Sequence, residues 1–159
     1  MKKFVIQAIF LVVVTFVALA VYTSKFASIP FVPERPKTGV VQVNDLKINV
    51  EIADTATKRK QGLGGKESLA SDSGMLFVFE KQDVYKFWMK GLNFPLDLIW
   101  IRGEKVVDIT KKATPPIPEQ KDETLPLYIP NQPVDKVLEV NSGFVDQNNI
   151  QIGDSIIVQ

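Results

Sequence analysis

The sequence predicts a mainly β fold: a small antiparallel β-barrel-like domain with one or two short helices, preceded by an N-terminal hydrophobic helix. Three observations lead there. Beyond residue 39, short apolar runs are interrupted again and again by Gly, Pro, Asn or Asp, the pattern of strands joined by tight turns. No stretch of that region sustains the 3.6-residue apolar repeat of a long helix. Before residue 23 the chain is almost continuously apolar.

Lys2 and Lys3 precede a run from Phe4 to Tyr22 in which Gln7 and Thr15 are the strongly polar residues. As a helix this run is roughly 28 Å long at about 1.5 Å per residue, close to the thickness of a bilayer core. Both charges lie on the starting side, which predicts an amino terminus in the cytoplasm and a following domain outside it. The expected partner of Phe4–Tyr22 is therefore the membrane, in a single pass. Ala18 and Ala20 also form a small-x-small pattern, and cleavage after Ala20 would secrete the domain instead. The apolar run continues through Val21 and Tyr22, which favours a retained anchor.

Residues 1–23 thus form a signal anchor or signal peptide, residues 24–39 a linker, and residues 40–159 the extracytoplasmic domain. In the linker, Pro30, Pro33 and Pro36 recur at a three-residue spacing, which favours polyproline II and forbids a regular helix. Such a segment is a semi-rigid spacer.

Within the domain, residues 40–43 and 46–52 read as a hairpin turning at Asn44-Asp45. Leu46, Ile48, Val50 and Ile52 alternate with Lys47, Asn49 and Glu51, so this strand has one wet face. Asp54 and Thr55 can cap a short helix that runs through Lys58, Arg59 and Lys60 and stops at Gly62. Residues 74–79 form an apolar run suited to a strand buried on both faces, and residues 85–89 read as another strand before a turn at 91–95. Residues 96–101 and 105–110 read as a hairpin around Arg102-Gly103-Glu104. Residues 113–133 hold six of the ten prolines, so they run over the surface without central strands or a helix. Residues 136–140 and 155–158 complete the strands, with one helical turn near 144–148 and a tight turn at Gly153-Asp154.

Composition removes whole classes of chemistry. The chain has no Cys and no His, so thiol nucleophiles, disulfides and imidazole bases are excluded, and zinc sites lose their usual ligands. No cofactor or metal site is expected. The net charge of +1 is unevenly spread: residues 1–37 carry +4, and the remainder, with 14 basic and 17 acidic residues, carries −3. A slightly acidic domain lacks the basic face that displaces counterions from phosphates, so no nucleic-acid partner is expected.

The order of motifs is specific. Arg59-x-x-Gly62-Leu63 is followed by Gly74-Met75-Leu76-Phe77-Val78-Phe79, then Phe87-Trp88-Met89-Lys90, then Pro95-Leu96-Asp97. Val137-Leu138-Glu139-Val140, Gly143 and Gly153-Asp154 come after them. Over residues 40–159 this series resembles the family called domain of unknown function 192. The resemblance implies the β domain and an exported or membrane-tethered setting, and it brings no established activity. The chain departs from the family's usual pattern at Gly64, where Met or Ser is frequent, and at Gly91, where Asn is frequent. It also lacks a Cys pair that some members carry in the Pro-rich excursion.

The candidate ligand-binding residues are Arg59, Trp88, Lys90 and Asp97. Strand alternation sends Phe87 and Met89 to one face and Trp88 and Lys90 to the other. An indole beside an ammonium, with Asp97 across a turn and Arg59 on the short helix, offers a flat amphipathic surface and charge recognition. The competing reading is structural: Trp88 closes an end of the barrel, Lys90 pairs with Asp97, and Arg59 pairs with Glu139. Three functions follow. The first is a non-catalytic module binding a small ligand, an envelope component or a membrane partner. The second is a hydrolase with a carboxylate pair such as Asp97 and Glu139. The third is a purely structural partner domain.

Overall fold

A computed structural model of the chain describes residues 2–26 and 35–159. It divides into two units, Met1–Arg35 and Pro36–Gln159, each taken by itself below. The expected polyproline spacer falls largely on residues 27–34, outside the described residues.

In the first unit, α1 spans Lys2–Phe26. Its segment Lys3–Tyr22 has a mean hydropathy of 2.9 and is long and apolar enough, by length and composition, to cross a bilayer. The Thr15 hydroxyl is satisfied within the helix by the carbonyls of Leu11 and Val12, at 3.0 and 2.8 Å. The Thr15 hydroxyl thus places little demand on solvent within the apolar run.

The second unit is a seven-stranded sheet curled into a half barrel, in the order β5-β4-β6-β3-β2-β1-β7. Strand β1 (Thr38–Val43) turns at Asn44, whose φ is 53°, into β2 (Leu46–Ala53). Helix α2 (Ala56–Gln61) follows, started by Thr55, whose hydroxyl accepts from Lys58 N, and ended at Gly62 with φ 53°. Strand β3 (Ser73–Asp83) then runs parallel to β2. This is the one parallel pair in an otherwise antiparallel sheet, because the α2 crossover returns the chain to the same end. Strands β4 (Leu96–Arg102) and β5 (Lys105–Ala113) form the expected hairpin, and β6 (Val134–Asn141) sits between β4 and β3. Helix α3 (Phe144–Gln147) and β7 (Ile156–Val158) complete the unit. An isolated bridge joins Lys105 at the start of β5 to Ser155 just before β7.

Residues 85–89 depart from expectation. They form no regular strand, making a single bridge from Phe87 to Tyr128 in the Pro-rich excursion. That excursion supplies too few regular partners to extend the ladder, since its prolines lack N–H donors.

The central strands are buried on both faces. One core cluster draws on all seven strands, including Val41, Ile48, Leu76, Ile99, Leu138 and Ile156. The other lies on the opposite face and includes Met75, Phe77, Leu98, Trp100 and Val137, covered by Leu63, Met89 and Leu92 from the crossing loops. Trp100 is fully buried, and its indole N–H donates to Thr110 Oγ1 at 2.9 Å. Each fully buried large apolar side chain contributes on the order of 1.5–3 kcal/mol. Without disulfides, this two-sided burial carries the stability of the unit.

Candidate ligand pocket

Local backbone order on this second face creates a cavity. Arg59 lies in the last turn of α2, and its guanidinium donates to the carbonyls of Asp54 and Val78, both at 2.8 Å. These bonds fasten α2 to the residue after β2 and to the middle of β3. The same guanidinium lies 5.2 Å from the centre of the Phe79 ring. Phe79 stacks on Tyr85, whose hydroxyl donates to the Lys81 carbonyl at 2.8 Å. Burial, with the Asp83 charge adding to it, pushes the Tyr85 phenol above its usual range.

The segment after β3 crosses this face. The backbone of Phe87 exchanges two hydrogen bonds with that of Tyr128, at 2.9 and 2.8 Å. Its ring packs edge-on against Phe77, Phe79 and Trp100 at 4.9, 6.3 and 5.4 Å. Met89 is buried beneath the segment while Trp88 stands 48% exposed, so the indole is not spent on closing the core. Lys90 reaches 5.5 Å from the Trp88 ring and pairs with Asp122. Gly65 N donates to Gly91 O at 3.1 Å, which ties the loop after α2 to the turn after Lys90.

These elements enclose an open cavity of about 250 Å³. Its walls are aromatic, formed by Phe77, Phe79, Tyr85, Phe87 and Trp88. Arg59, Lys60, Lys86 and Lys90 bring cationic groups to it, and Glu139 is the one acidic residue that lines it. Glu139 lies on β6, paired in register with Met75 of β3 and Leu98 of β4, both members of the second-face core. It is 3% exposed, and burial pushes its carboxyl up to about 8. Among the described residues none donates a hydrogen bond to that carboxyl or pairs with it, and its oxygens are open to the cavity and not sealed in the core.

Of the four residues singled out from sequence, three come together here: Arg59, Trp88 and Lys90 all line the cavity. Asp97 does not. It pairs with Val140 across the β4–β6 ladder, and directly opposed residues share a face, so Asp97 lies on the side opposite Glu139. Its fully buried carboxylate accepts from Lys112 N at 2.9 Å, Gly143 N at 2.9 Å and Val145 N at 3.1 Å. Asp97 therefore anchors the end of β5 and the start of α3. The structural pairings expected for the cluster are also replaced: Lys90 finds Asp122 and not Asp97, and Arg59 finds two carbonyls and not Glu139. Gly153 takes a φ of 100° and Asp154 accepts from Gln151 N at 2.8 Å, so that turn is architectural, as expected.

Two parts of the cavity lining were not among the binding residues expected from sequence: Glu139, considered there as a hydrolase carboxylate or a partner for Arg59, and the aromatic wall. Glu139 gave one signal, a lone acid inside the apolar strand Val137-Leu138-Glu139-Val140, where a charge is costly to bury. The aromatic wall gave another, since Phe77, Phe79, Tyr85 and Phe87 are all odd-numbered and extended chain sends such residues to one side.

Solved structures support the fold. A protein from Sinorhizobium meliloti 1021, provisionally described as a transcription regulator, superimposes with a TM-score of 0.71 at 26% identity, covering 80% of this chain and 98% of its own. A protein of unknown function from Novosphingobium aromaticivorans DSM 12444 superimposes with a TM-score of 0.65 at 24% identity, covering 80% of this chain and 89% of its own. Comparison with curated proteins gives no match. Residues 39–158 match the family DUF192, described as Uncharacterized ACR, and the chain belongs to that family.

Proposed function

We propose that the β domain is a non-catalytic module that binds a small ligand outside the cytoplasm, tethered to the membrane by Phe4–Tyr22. One observation carries this reading: Trp88 and Lys90 remain exposed beside an aromatic cavity that is also lined by Glu139, a carboxyl with no partner among the described residues. A void of about 250 Å³ suits a compound smaller than a typical drug-sized ligand. Aromatic walls supply contact area at little entropic cost, and a few polar groups fix orientation. Hydrolysis by paired carboxylates finds less support, because it requires two acids facing one substrate about 5–10 Å apart. Asp97 and Glu139 lie on opposite faces of the sheet.

The test is a thermal-shift screen of the full chain in maltoside detergent against envelope sugars, nucleotides, amino acids and quaternary ammonium compounds. A true ligand at a hundred times its Kd adds about 2.7 kcal/mol of stability. Trp88→Ala abolishes the shift and leaves the ligand-free melting temperature unchanged. A ligand that stabilises Trp88→Ala and Glu139→Gln as well as it stabilises the parent chain places the binding site elsewhere.

A further inference from the structure

Resting on that reading, we propose that the ligand is a zwitterion, with an organic ammonium seated against Glu139 inside the aromatic cavity and an anionic group held at its cationic mouth.

The interior has the composition of a cation site. Phe77, Phe79, Phe87 and Trp88 present ring faces or edges to a small void, and ring faces attract cations, most strongly when water is excluded. Glu139 adds the only acidic group. It is buried, it lines the void, and no described residue compensates it. A buried ionisable group without a partner is costly, and the cost falls once an opposite charge arrives. The chain offers four cations around this cavity and uses none of them for that purpose. Arg59 is committed to two carbonyls and Lys90 to Asp122. Lys60 and Lys86 are exposed and form no ion pair with a described residue. The missing counter-ion is then left for the ligand to supply.

The mouth argues for the other half. A simple cation, and still more a polyamine, meets repulsion from Lys60 and Lys86 on entry. An anion trailing the ammonium reverses that term and pairs with the same lysines. A fatty acid or other plain anion satisfies the mouth and leaves Glu139 buried without a partner.

The proton follows from the same geometry. The strands flanking Glu139 present Met75, Phe77, Leu98 and Trp100, none of which titrates. The titratable and charged groups that line the cavity from other elements are Arg59 and Lys60 on α2, and Tyr85, Lys86 and Lys90 on the crossing segment. Burial keeps the Glu139 carboxyl largely protonated at neutral pH. An entering ammonium stabilises the carboxylate, and the displaced proton leaves to solvent. Affinity accordingly rises with pH until the free carboxyl is itself ionised.

The probe is 4-trimethylammoniobutyrate, and its control is 5,5-dimethylhexanoate, in which carbon replaces the ammonium nitrogen. Both are titrated calorimetrically into the full chain in maltoside, at pH 6.5 and pH 8.5. The expected result is binding of the betaine, at least tenfold tighter than the hexanoate, and strengthening from pH 6.5 to 8.5. Glu139→Gln loses at least tenfold in betaine affinity and loses the pH dependence. Equal binding of the carbon isostere, betaine affinity retained in Glu139→Gln, or no betaine binding at all overturns the proposal. The last outcome, together with a Trp88-dependent shift from a sugar or nucleotide, leaves the binding module standing and removes only the ammonium. The isostere comparison is made on the parent chain, so it decides even if Glu139→Gln folds poorly.

Discussion

Asp97 and Glu139 stand on neighbouring strands one step out of register, and that step puts their carboxyls on opposite faces of the sheet. Asp97 faces the cluster shared by all seven strands and is saturated by three backbone N–H groups. Glu139 faces the aromatic cavity and has no hydrogen-bond or ion-pair partner among the described residues. The same residue class thus serves as an architectural cap on one side and lines an aromatic cavity on the other.

Asp97→Ala is expected to destabilise the domain by about 3 kcal/mol or more, since each buried donor left unsatisfied costs about 1–3 kcal/mol. Urea denaturation of the parent and variant chains measures it. A change below about 1 kcal/mol would show that water or a local shift replaces the carboxylate at these three amides.

Glu139 makes stability fall as pH rises. Burial pushes its folded carboxyl from an ordinary 4.5 up to about 8, so between those values the folded state holds a proton that the unfolded state has lost. Stability from this group is complete below about pH 4.5 and is lost as pH rises to about 8, by up to several kcal/mol. Asp54, held low by Lys37, and Asp146, held low by Lys111, act oppositely and lose their contribution only in acid. Melting temperatures from pH 5 to 9 should decline for the parent chain and flatten for Glu139→Gln. Parallel curves for the two chains contradict the assignment.

Trp88→Ala and Lys90→Ala are expected to change stability by less than about 1 kcal/mol. The indole is half exposed, and the Lys90–Asp122 pair lies in solvent, where such pairs contribute about 0–1 kcal/mol. Arg59→Lys behaves differently: one guanidinium nitrogen, Nη1, reaches both carbonyls while the planar group lies over Phe79, and a shorter, non-planar ammonium does not hold both arrangements, so both ligand binding and α2 docking weaken. Denaturation and ligand titration on the same preparations separate the two effects. A loss of more than about 3 kcal/mol in Trp88→Ala would make the indole a structural residue.

Protease added to spheroplasts should digest the β domain, in keeping with Lys2 and Lys3 preceding an uncharged run. Full protection until the membrane is lysed would put the domain on the cytoplasmic side. Mass spectrometry of the amino terminus separately distinguishes a retained anchor from cleavage after Ala20.

Much of the fold was legible because local chemistry decided it. Thr55 and Gly62 bracket α2 as their capping preferences require, and the Asn44 turn and the Arg102–Lys105 hairpin lie where turn residues interrupt alternation. The parallel β2–β3 pair was not legible, because neighbour choice in a sheet depends on long-range packing. Arg59, Trp88 and Lys90 were singled out by residue type and spacing, and all three line one cavity. Asp97 was misplaced because side-chain direction at the start of β4 is set by its ladder with β6, some forty residues later in the chain. Glu139 was named in sequence only as a hydrolase carboxylate or a partner for Arg59, and its place in the cavity without either depends on where Arg59 and Lys90 find their own partners.

Tryptophan fluorescence tests the central claim most directly. The chain has two tryptophans: Trp100 is sealed in the core, and Trp88 stands half exposed on the cavity rim. Acrylamide quenching of the full chain therefore reports on Trp88. Adding any compound that raises the melting temperature in the screen should shift emission to the blue and reduce quenching, and Trp88→Phe should remove both changes. A stabilising compound that leaves emission and quenching of the parent chain untouched would contradict the account, because the occupied site would not be this cavity.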